Sequence, residues 1–468
     1  MKHTDLYAIG SRGRGGLESD GSYDLSIVVD RLRKYLGTLP HSRLDTDRKR
    51  KEVITAWFGQ SGISISGMSH GAALNALIDE VCNYGILTAA MEDPEVFEIR
   101  ANGRMLKVEK NGQLVDYTDS QGHLLYFKSV EEQDVVIRKL MQDKRLTPKD
   151  QLVNSQTLEG YRIAAVHSSA MGVDVSDAAS KDRYSSFVLR KFSKVRYTLD
   201  NLCDGGTFSP EIKRFLELLI PGGITFVTVG PTASGKTTTN NAILGSCPRD
   251  LRVVLAQNPS EIDMRYHDPS TGLVMNDVLH LEAHEDPHAT GTTATMQNIM
   301  DHILRLSPTL VTVGEIRTNE EFFQGFKILQ AGHPMNCTYH AEDGPGAVWR
   351  FAVAYMAAAG LTDSGLALRQ ICDLVHIVIV QRLMPDKRRR IASICEVMGV
   401  NEDGTEPVVV PIFEYKMFNA EYDSRGMATK FDYAWEMVNP ISEHLRKRLE
   451  DKGLNPELYA DFVAKKKL

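Results

Sequence analysis

The segment Gly230–Thr237 constrains this chain more than any other feature of its sequence. Its letters, GPTASGKT, satisfy the pattern G-x-x-x-x-G-K-[ST], in which glycines let the backbone curl so that its N–H groups face a phosphate. The apolar stretch Ile224–Val229 precedes it, and a helical pattern over Lys236–Leu244 follows it. Strand, loop and helix in this order predict a site for the phosphates of a nucleotide.

The side chains of this loop predict how the nucleotide is held. We expect Lys236 to reach the β- and γ-phosphates and the hydroxyl of Thr237 to ligate Mg²⁺. ATP and Mg²⁺ are therefore the expected cofactors. The expected nucleotide-binding residues are Gly230, Pro231, Thr232, Ala233, Ser234, Gly235, Lys236, Thr237 and Thr238.

Two further residues follow apolar strand patterns. Glu315 comes after the stretch Leu310–Val313, and His340 comes after Met335–Tyr339. Because parallel strands end at one edge of a sheet, Glu315 is expected beside the phosphate loop, where it would orient water or hold Mg²⁺. The structural alternative is that Glu315 caps the next helix. His340 could sense the γ-phosphate, although a lone histidine is more often a core or surface residue.

The patterning predicts four segments. Apolar strands alternate with helices over residues 204–400, which predicts an α/β domain with a parallel sheet. Residues 69–203 mix both patterns around an Asn-Gly hairpin signal and predict a smaller α+β domain. Residues 1–68 are expected to form a helical and irregular extension, and residues 401–468 a C-terminal extension. A chain of 468 residues is long enough for these parts.

The composition narrows the class of protein. Hydrophobic residues make up 42% and charged residues 25%, as in soluble globular proteins. No apolar run reaches the ~18 residues of a membrane span, and the first residues lack the apolar core of a signal peptide. Six cysteines without paired spacing fit a reducing compartment, so we expect a cytoplasmic protein. His280, His284 and His288 are spaced like helical metal ligands, but Pro287 would break that helix.

A net charge of −7 removes the simplest case for a nucleic-acid binder, which usually carries a basic stripe. Basic residues cluster only locally, beside acids or near a terminus, and we expect all three clusters to be solvated surface. These clusters are Arg48–Lys51, Lys387–Arg390 and Lys465–Lys467.

Several short motifs follow one another in a specific order. They are Asp93–Val96 with Arg100–Gly103, Glu159–Ile163, Val188–Phe192, the phosphate loop, Leu304–Pro308, Gly314–Arg317 and Ala331–Ala341. In this order they resemble the type II/IV secretion ATPase superfamily, and most closely its CpaF-like, tight-adherence pilus branch. The resemblance runs from about residue 72 to residue 400.

The resemblance implies a RecA-like motor domain joined to a PAS-like N-terminal domain, with ATP bound between the two domains in a hexameric ring. It implies that Arg162 and Arg190 reach the phosphates from the N-terminal domain. It also implies that Arg305 and Arg317 contact the pocket or a neighbouring subunit. Each arginine could equally be an ordinary surface or ion-pair residue. The implied partners are an inner-membrane platform or secretion-channel proteins at the inner face of the membrane, without nucleic acid as a direct ligand.

The chain departs from the family pattern at several positions. Gln257 and Asn258 replace the usual Glu-Asp pair, and their amides are expected to orient water without accepting its proton. Glu261 is then the remaining carboxylate of that box and is expected to assist hydrolysis. Ala233 replaces a glycine of the phosphate loop.

These observations favour an ATPase motor that powers pilus assembly, secretion or conjugative transport. One alternative is an ATP-binding conformational switch with weak hydrolysis, which Gln257 and Asn258 favour. Another is a nucleic-acid-translocating P-loop motor, which lacks support from the charge distribution. The sequence does not specify which apparatus is served or whether a pilus extends or retracts.

Overall fold

A computed structural model describes residues 22–39, 43–44, 46–110, 113–141, 144–172, 183–191, 197–258, 261–268, 270–283 and 293–463. The chain divides into two units, Met1–Lys194 and Val195–Leu468.

The first unit begins with three helices that pack around a shared apolar cluster. Each helix starts where a polar side chain accepts a hydrogen bond from an otherwise free N–H group, at Asp24, Thr46 and Ser69. The three helices are α1 (Leu25–Gly37), α2 (Asp47–Ser61) and α3 (His70–Cys82).

A six-stranded antiparallel sheet forms the rest of this unit. Its strands are β1 (Val96–Asn102), β2 (Met105–Lys110), β3 (Gln113–Asp116), β4 (Leu152–Gln156), β5 (Arg162–Val166) and β6 (Ser186–Arg190), and its helices are α4 (Thr88–Glu92) and α5 (Val130–Leu140). The strand order is β3-β2-β1-β6-β5-β4. The predicted hairpin is confirmed, since β1 and β2 pair across a turn in which Gly103 has a φ of 61°.

The second unit is built on a nine-stranded sheet. Its strands are β7 (Phe226–Val229), β8 (Val253–Gln257), β9 (Val278–Glu282), β10 (Leu310–Val313), β11 (Met335–Tyr339), β12 (Ile377–Leu383), β13 (Arg389–Val400), β14 (Pro407–Tyr422) and β15 (Ala428–Met437). The order is β15-β14-β13-β12-β7-β11-β10-β8-β9. All pairs from β12 to β9 are parallel, which confirms the predicted parallel sheet. The central strands are buried on both faces, as parallel strands usually are.

Helices cover both faces of this sheet. One apolar cluster contains residues of α6 (Leu199–Asp204), α7 (Pro210–Leu219), α8 (Lys236–Leu244) and α13 (Glu443–Asp451). The other contains residues of α9 (Met296–Ile303), α10 (Asn319–Gln330), α11 (Gly344–Ala359) and α12 (Ser364–Leu374). Ser209 caps α7 and Pro210 is its first residue.

The sheet continues beyond residue 400. Strands β12 and β13 form an antiparallel hairpin, and β14 and β15 extend it as an antiparallel ribbon. Trp435 of β15 donates a hydrogen bond to the carbonyl of Ile391 across 2.7 Å. The expected boundary at residue 400 therefore falls inside a continuous sheet, and α6 belongs to the second unit. The four-segment division stays a prediction.

Three findings concern membranes, thiols and metals. Among the described residues, no helix has both the length and the apolar character needed to cross a bilayer. All six cysteines are free. The described parts of the chain contain no group of three His, Cys, Asp or Glu side chains that could hold a metal ion. His280 lies on β9, where its Nε2 accepts from the N–H of Met264, while His284 and His288 lie outside the described residues.

Candidate nucleotide-binding site

The phosphate loop connects β7 to α8 at the carboxyl edge of the parallel strands. Gly235 precedes the helix with a φ of 96°, and no side chain caps the N–H groups that follow. Free N–H groups at a helix start attract anions. A Cβ atom at Gly230 would lie 2.1 Å from the carbonyl oxygen of Gln381 on β12, so only glycine fits there. Both glycines of the motif thus stand where a side chain would clash or where φ is positive, and the binding of phosphates by this loop stays a prediction.

Ala233 takes a backbone conformation that suits glycine. Its φ is 62°, which costs an L-residue with a Cβ about 1–2 kcal/mol. Arg389, the first residue of β13, donates a hydrogen bond from Nε to the carbonyl oxygen of Ala233 across 2.8 Å. The loop is thus strained at the position where the resemblance implies glycine, and a charged donor is bound to that position.

Lys236 and Ser234 supply the buried polar groups of the loop. The Lys236 ammonium donates to the carbonyls of Gly230 and Pro231 at 3.0 and 2.9 Å. Burial lowers its pKa below the ordinary value, although the charge of Glu315 opposes this change. The buried Ser234 hydroxyl has no hydrogen-bond partner among the described residues. A buried ammonium and an unpaired hydroxyl beside a helix start fit the phosphates of a nucleotide.

His340 links Glu315 to the phosphate loop. Its Nδ1 lies 3.2 Å from the carbonyl oxygen of Gly230, and its Nε2 lies 3.3 Å from Oε1 of Glu315. Each ring nitrogen of His340 therefore lies within hydrogen-bonding distance of an oxygen atom. The other carboxylate oxygen of Glu315 accepts from Nε of Arg317 at 2.8 Å. Helix α10 is capped by Thr318 and Glu321, so Glu315 is not its cap.

The surroundings of Glu315 favour its charged form. Burial alone would raise the pKa of this carboxyl, but the charges of Arg317, His340 and Lys236 outweigh burial and bring the pKa below the ordinary value. Glu315 is therefore a carboxylate at neutral pH, able to accept a hydrogen bond from water or to ligate a cation.

Gln257 does not have the role that the sequence suggested. It ends β8 with 1% of its surface exposed, and its Nε2 donates to the carbonyl of Ile262 at 2.9 Å. Its Oε1 accepts from the N–H groups of Glu261 and Ile262. The amide thus holds the turn after β8, and the expectation that it orients water is wrong because both ends are bonded to the backbone. Glu261 lies on that turn, and its part in hydrolysis stays a prediction.

A model of the type II/IV secretion system protein family matches residues 92–419, well over half of the chain. The chain belongs to that family. The matched range contains Lys236, Glu315 and His340 together with the other predicted site residues. The expected fold class is confirmed as an α/β RecA-like P-loop domain preceded by a smaller α+β domain. The PAS-like character of the smaller domain stays a prediction.

Similar proteins are found among curated proteins and solved structures. The type IV pilus assembly ATPase PilB of Myxococcus xanthus is 28% identical over 184 residues, which are 39% of this chain and 27% of PilB. The type IV secretion system protein PtlH of Bordetella pertussis is 29% identical over 189 residues, 38% of this chain and 52% of PtlH. The chain therefore spans between about a quarter and about half of the length of these relatives.

Two solved structures match the chain with TM-scores below 0.5. The ATPase DotB of Legionella pneumophila is 18% identical, with a TM-score of 0.46 over 68% of this chain and 81% of DotB. The VirB11 ATPase of the Brucella suis type IV secretion system, solved with sulphate, is 17% identical, with a TM-score of 0.34 over 71% of this chain and 98% of VirB11.

Two of the arginines that the family resemblance singled out lie at opposite edges of the second unit's sheet. Arg317 contacts Glu315 at the carboxyl edge. Arg305 lies before β10, at the amino edge, where it pairs with Asp301 at 3.6 Å. Within one chain Arg305 does not join the Glu315 group, and a role across a subunit interface stays a prediction.

The other two arginines are direct neighbours in the first unit. Arg162 of β5 and Arg190 of β6 occupy paired positions, and Glu98 of β1 is paired with Arg190 on the other side. The buried Glu98 carboxylate lies 3.2 Å from Nη2 of Arg190 and also pairs with Arg100. The sequence analysis missed Glu98. Glu98 lies on the face of β1 that also carries Arg100 and Asn102, whereas Ile99 and Ala101 face the apolar cluster.

The expectation of solvated surface holds for most residues of two basic clusters and is wrong for one arginine in each. Arg390 is 1% exposed, makes two 2.7 Å hydrogen bonds to Asp386, and lies over the ring of Tyr433 at 4.0 Å. Arg50 is 4% exposed and pairs with Glu159 at 2.8 Å. Burial of an arginine requires such partners, and acids close in the fold supply them. The cluster Lys465–Lys467 lies outside the described residues.

Proposed function

We propose that the protein is an Mg²⁺-dependent ATPase whose hydrolysis cycle drives pilus assembly or transport through a secretion or conjugation apparatus. The observation that carries the proposal is the link made by His340, which lies within 3.3 Å of both Glu315 and the carbonyl of Gly230. A carboxylate fixed beside a phosphate-binding loop suits attack of water on a phosphate. Membership of the secretion family supports the choice of ATP.

The residues of the second unit have distinct roles in this proposal. Lys236 and the N–H groups at the start of α8 bind the β- and γ-phosphates. Thr237, the second residue of α8, and Glu315 would hold Mg²⁺, which would neutralise phosphate charge when bound. Glu315 also accepts a hydrogen bond from the attacking water and orients it, while Arg317 keeps the carboxylate ionised. Glu261 assists from the turn after β8.

The assembly and location follow from the same proposal. Arg162 and Arg190 supply positive charge to the phosphates, and Arg305 acts across a subunit interface. The subunits form a ring, with six as the expected number, that works on a membrane platform or secretion channel from the cytoplasmic side. PilB and PtlH bear names of such systems, and this part rests on that likeness.

Two substitutions test the site. Lys236→Ala removes the ammonium that meets the phosphates, so we expect ATP binding to weaken and turnover to vanish. Glu315→Gln keeps the shape of the side chain and removes its charge, so we expect binding to persist while turnover falls about 100-fold or more. Lys430→Ala and Glu320→Gln, at exposed positions on β15 and α10, are matched controls. Wild-type turnover in either site variant would overturn the assignment.

Gln257 keeps the second candidate, a nucleotide-dependent switch with weak hydrolysis, in consideration. Its neutral amide occupies the position where the resemblance implies a carboxylate, and it is committed to backbone hydrogen bonds. The two functions differ in the rate of ATP turnover at a given occupancy of the site by ATP. A motor shows turnover that rises with ATP occupancy, whereas a switch binds Mg-ATP tightly and changes shape with turnover near the uncatalysed background.

A further inference from the structure

The wall of the phosphate loop is made by the hairpin of β12 and β13. Gln381 of β12 places its carbonyl against Gly230 and accepts a hydrogen bond from Thr239 of α8 at 2.8 Å. A Cβ atom at Gly235 would lie 3.1 Å from Cδ of Arg389. The hairpin therefore contacts the beginning, the end and, through Ala233, the strained middle of the loop.

The residue next to Arg389 fixes the direction of the hairpin. Arg390 is buried, bonded to Asp386 in the turn, and stacked on Tyr433 of β15. A guanidinium with two parallel hydrogen bonds and an aromatic contact has little freedom. Because Arg390 points one way from β13, Arg389 points the other way, toward the loop.

We propose that Arg389 is a positioning residue that holds the phosphate loop in its nucleotide-binding shape by bonding the carbonyl of Ala233, and so replaces the conformational freedom that glycine gives at this position. The inference rests on the proposed function, because it concerns the affinity of the same loop for ATP. The inference predicts that Arg389 strengthens ATP binding while residue 233 is alanine. When residue 233 is glycine, Arg389 should contribute little to ATP binding.

A double-mutant cycle on the full chain tests this dependence. The four proteins are wild type, Arg389→Ala, Ala233→Gly and the double variant. The measurements are the dissociation constant of a fluorescent ATP analogue with Mg²⁺, and kcat and KM for hydrolysis. We expect Arg389→Ala to weaken binding about tenfold, equivalent to about 1.4 kcal/mol, with a larger effect on KM than on kcat. In the Ala233→Gly background we expect the same substitution to change binding less than about twofold.

The controls separate this inference from the function on which it rests. Arg388→Ala removes an exposed guanidinium from the same turn and should bind as wild type. An equal loss in both backgrounds would overturn the inference, because Arg389 would then act independently of residue 233. The inference would also be wrong if Arg389→Ala bound ATP as tightly as the wild type. If Lys236→Ala still lost binding in the same experiment, the proposed function would be unaffected. A wild-type protein that fails to bind ATP would instead overturn the function.

Discussion

Glu315 is surrounded by cations, and this gives the site a defined response to acid. Burial raises the pKa of the carboxyl, and the Arg317, His340 and Lys236 charges lower it further than burial raises it. The resulting stabilisation is complete above the ordinary carboxyl pKa of 4.5 and is lost as the pH falls through the lower pKa of the folded protein.

Removing Arg317, the cation that lowers the pKa of Glu315 most, should raise that pKa. In Arg317→Ala burial acts with less opposition, so Glu315 takes up its proton at a higher pH than in the wild type. We expect the acid limb of the kcat profile, measured between about pH 4 and 8, to shift toward neutral pH. Arg425→Ala, at an exposed position in the turn after β14, is the control and should leave the limb in place. An unshifted limb in Arg317→Ala would show that another group sets it.

The hydrogen bonds of Gln257 predict the effect of placing a carboxylate at its position. Gln257→Glu, which introduces the carboxylate that the resemblance implies, leaves the carbonyl of Ile262 without its donor and buries a charge. An unpaired buried carbonyl costs about 1–3 kcal/mol. We therefore expect a lower melting temperature and no gain in turnover, measured by thermal unfolding and ATPase assay. Gln297→Glu on the exposed side of α9 should change neither. A faster enzyme of unchanged stability would contradict the structural role.

At the scale of elements, a buried ion pair ties α2 to the turn that leads into β5. Arg50 bonds Glu159, which also accepts from the hydroxyl of Tyr84 at 2.9 Å. Burial, and then the Glu159 charge, raise the pKa of Tyr84 well above its usual range, so this phenol remains a donor. Arg50→Ala leaves a carboxylate buried without its charge partner, which typically costs about 3–5 kcal/mol.

The loss of this ion pair should lower the stability of the first unit. We expect Arg50→Ala to lower the unfolding free energy by about that amount in urea titration. Arg48→Ala, on the same helix but with an 87% exposed side chain paired to Glu52, should change it by less than about 0.5 kcal/mol. Equal effects of the two substitutions would mean that the buried pair contributes nothing specific.

The helices and strands differ in how well they can be predicted from the sequence. β7 and α8 were predictable because an apolar run, a glycine loop and a helical pattern follow one another. α11 was not, because its apolar residues surround the helix and leave no amphipathic stripe to recognise. At the site, motif spacing predicted Lys236 and Glu315. Arg389 was missed because its contact with Ala233 joins residues 156 positions apart, and a Lys-Arg run has the composition of a surface.

At the scale of the whole molecule, the proposal requires an assembly. If neighbouring subunits complete the site through Arg305, the protein should form closed rings, with six subunits as the expected number. Light scattering at micromolar protein with Mg-ATP measures the mass directly. Arg305→Ala should reduce turnover without weakening ATP binding to the single chain, and Lys430→Ala serves as the control. If the protein stayed monomeric while hydrolysing ATP, the proposed ring would not be required for activity and this part of the proposal would be wrong.

The continuity of the sheet past residue 400 has a genetic consequence. A stop codon just after Val400 would remove β14 and β15, and with them the buried Ile412 and Phe413 and the stacking partner of Arg390. The twelve-residue strand β13 would become a long open edge, which invites pairing with other chains. Such an allele should behave as a complete null whose product aggregates, and a missense change of Tyr433 or Trp435 should behave as a milder allele of the same kind.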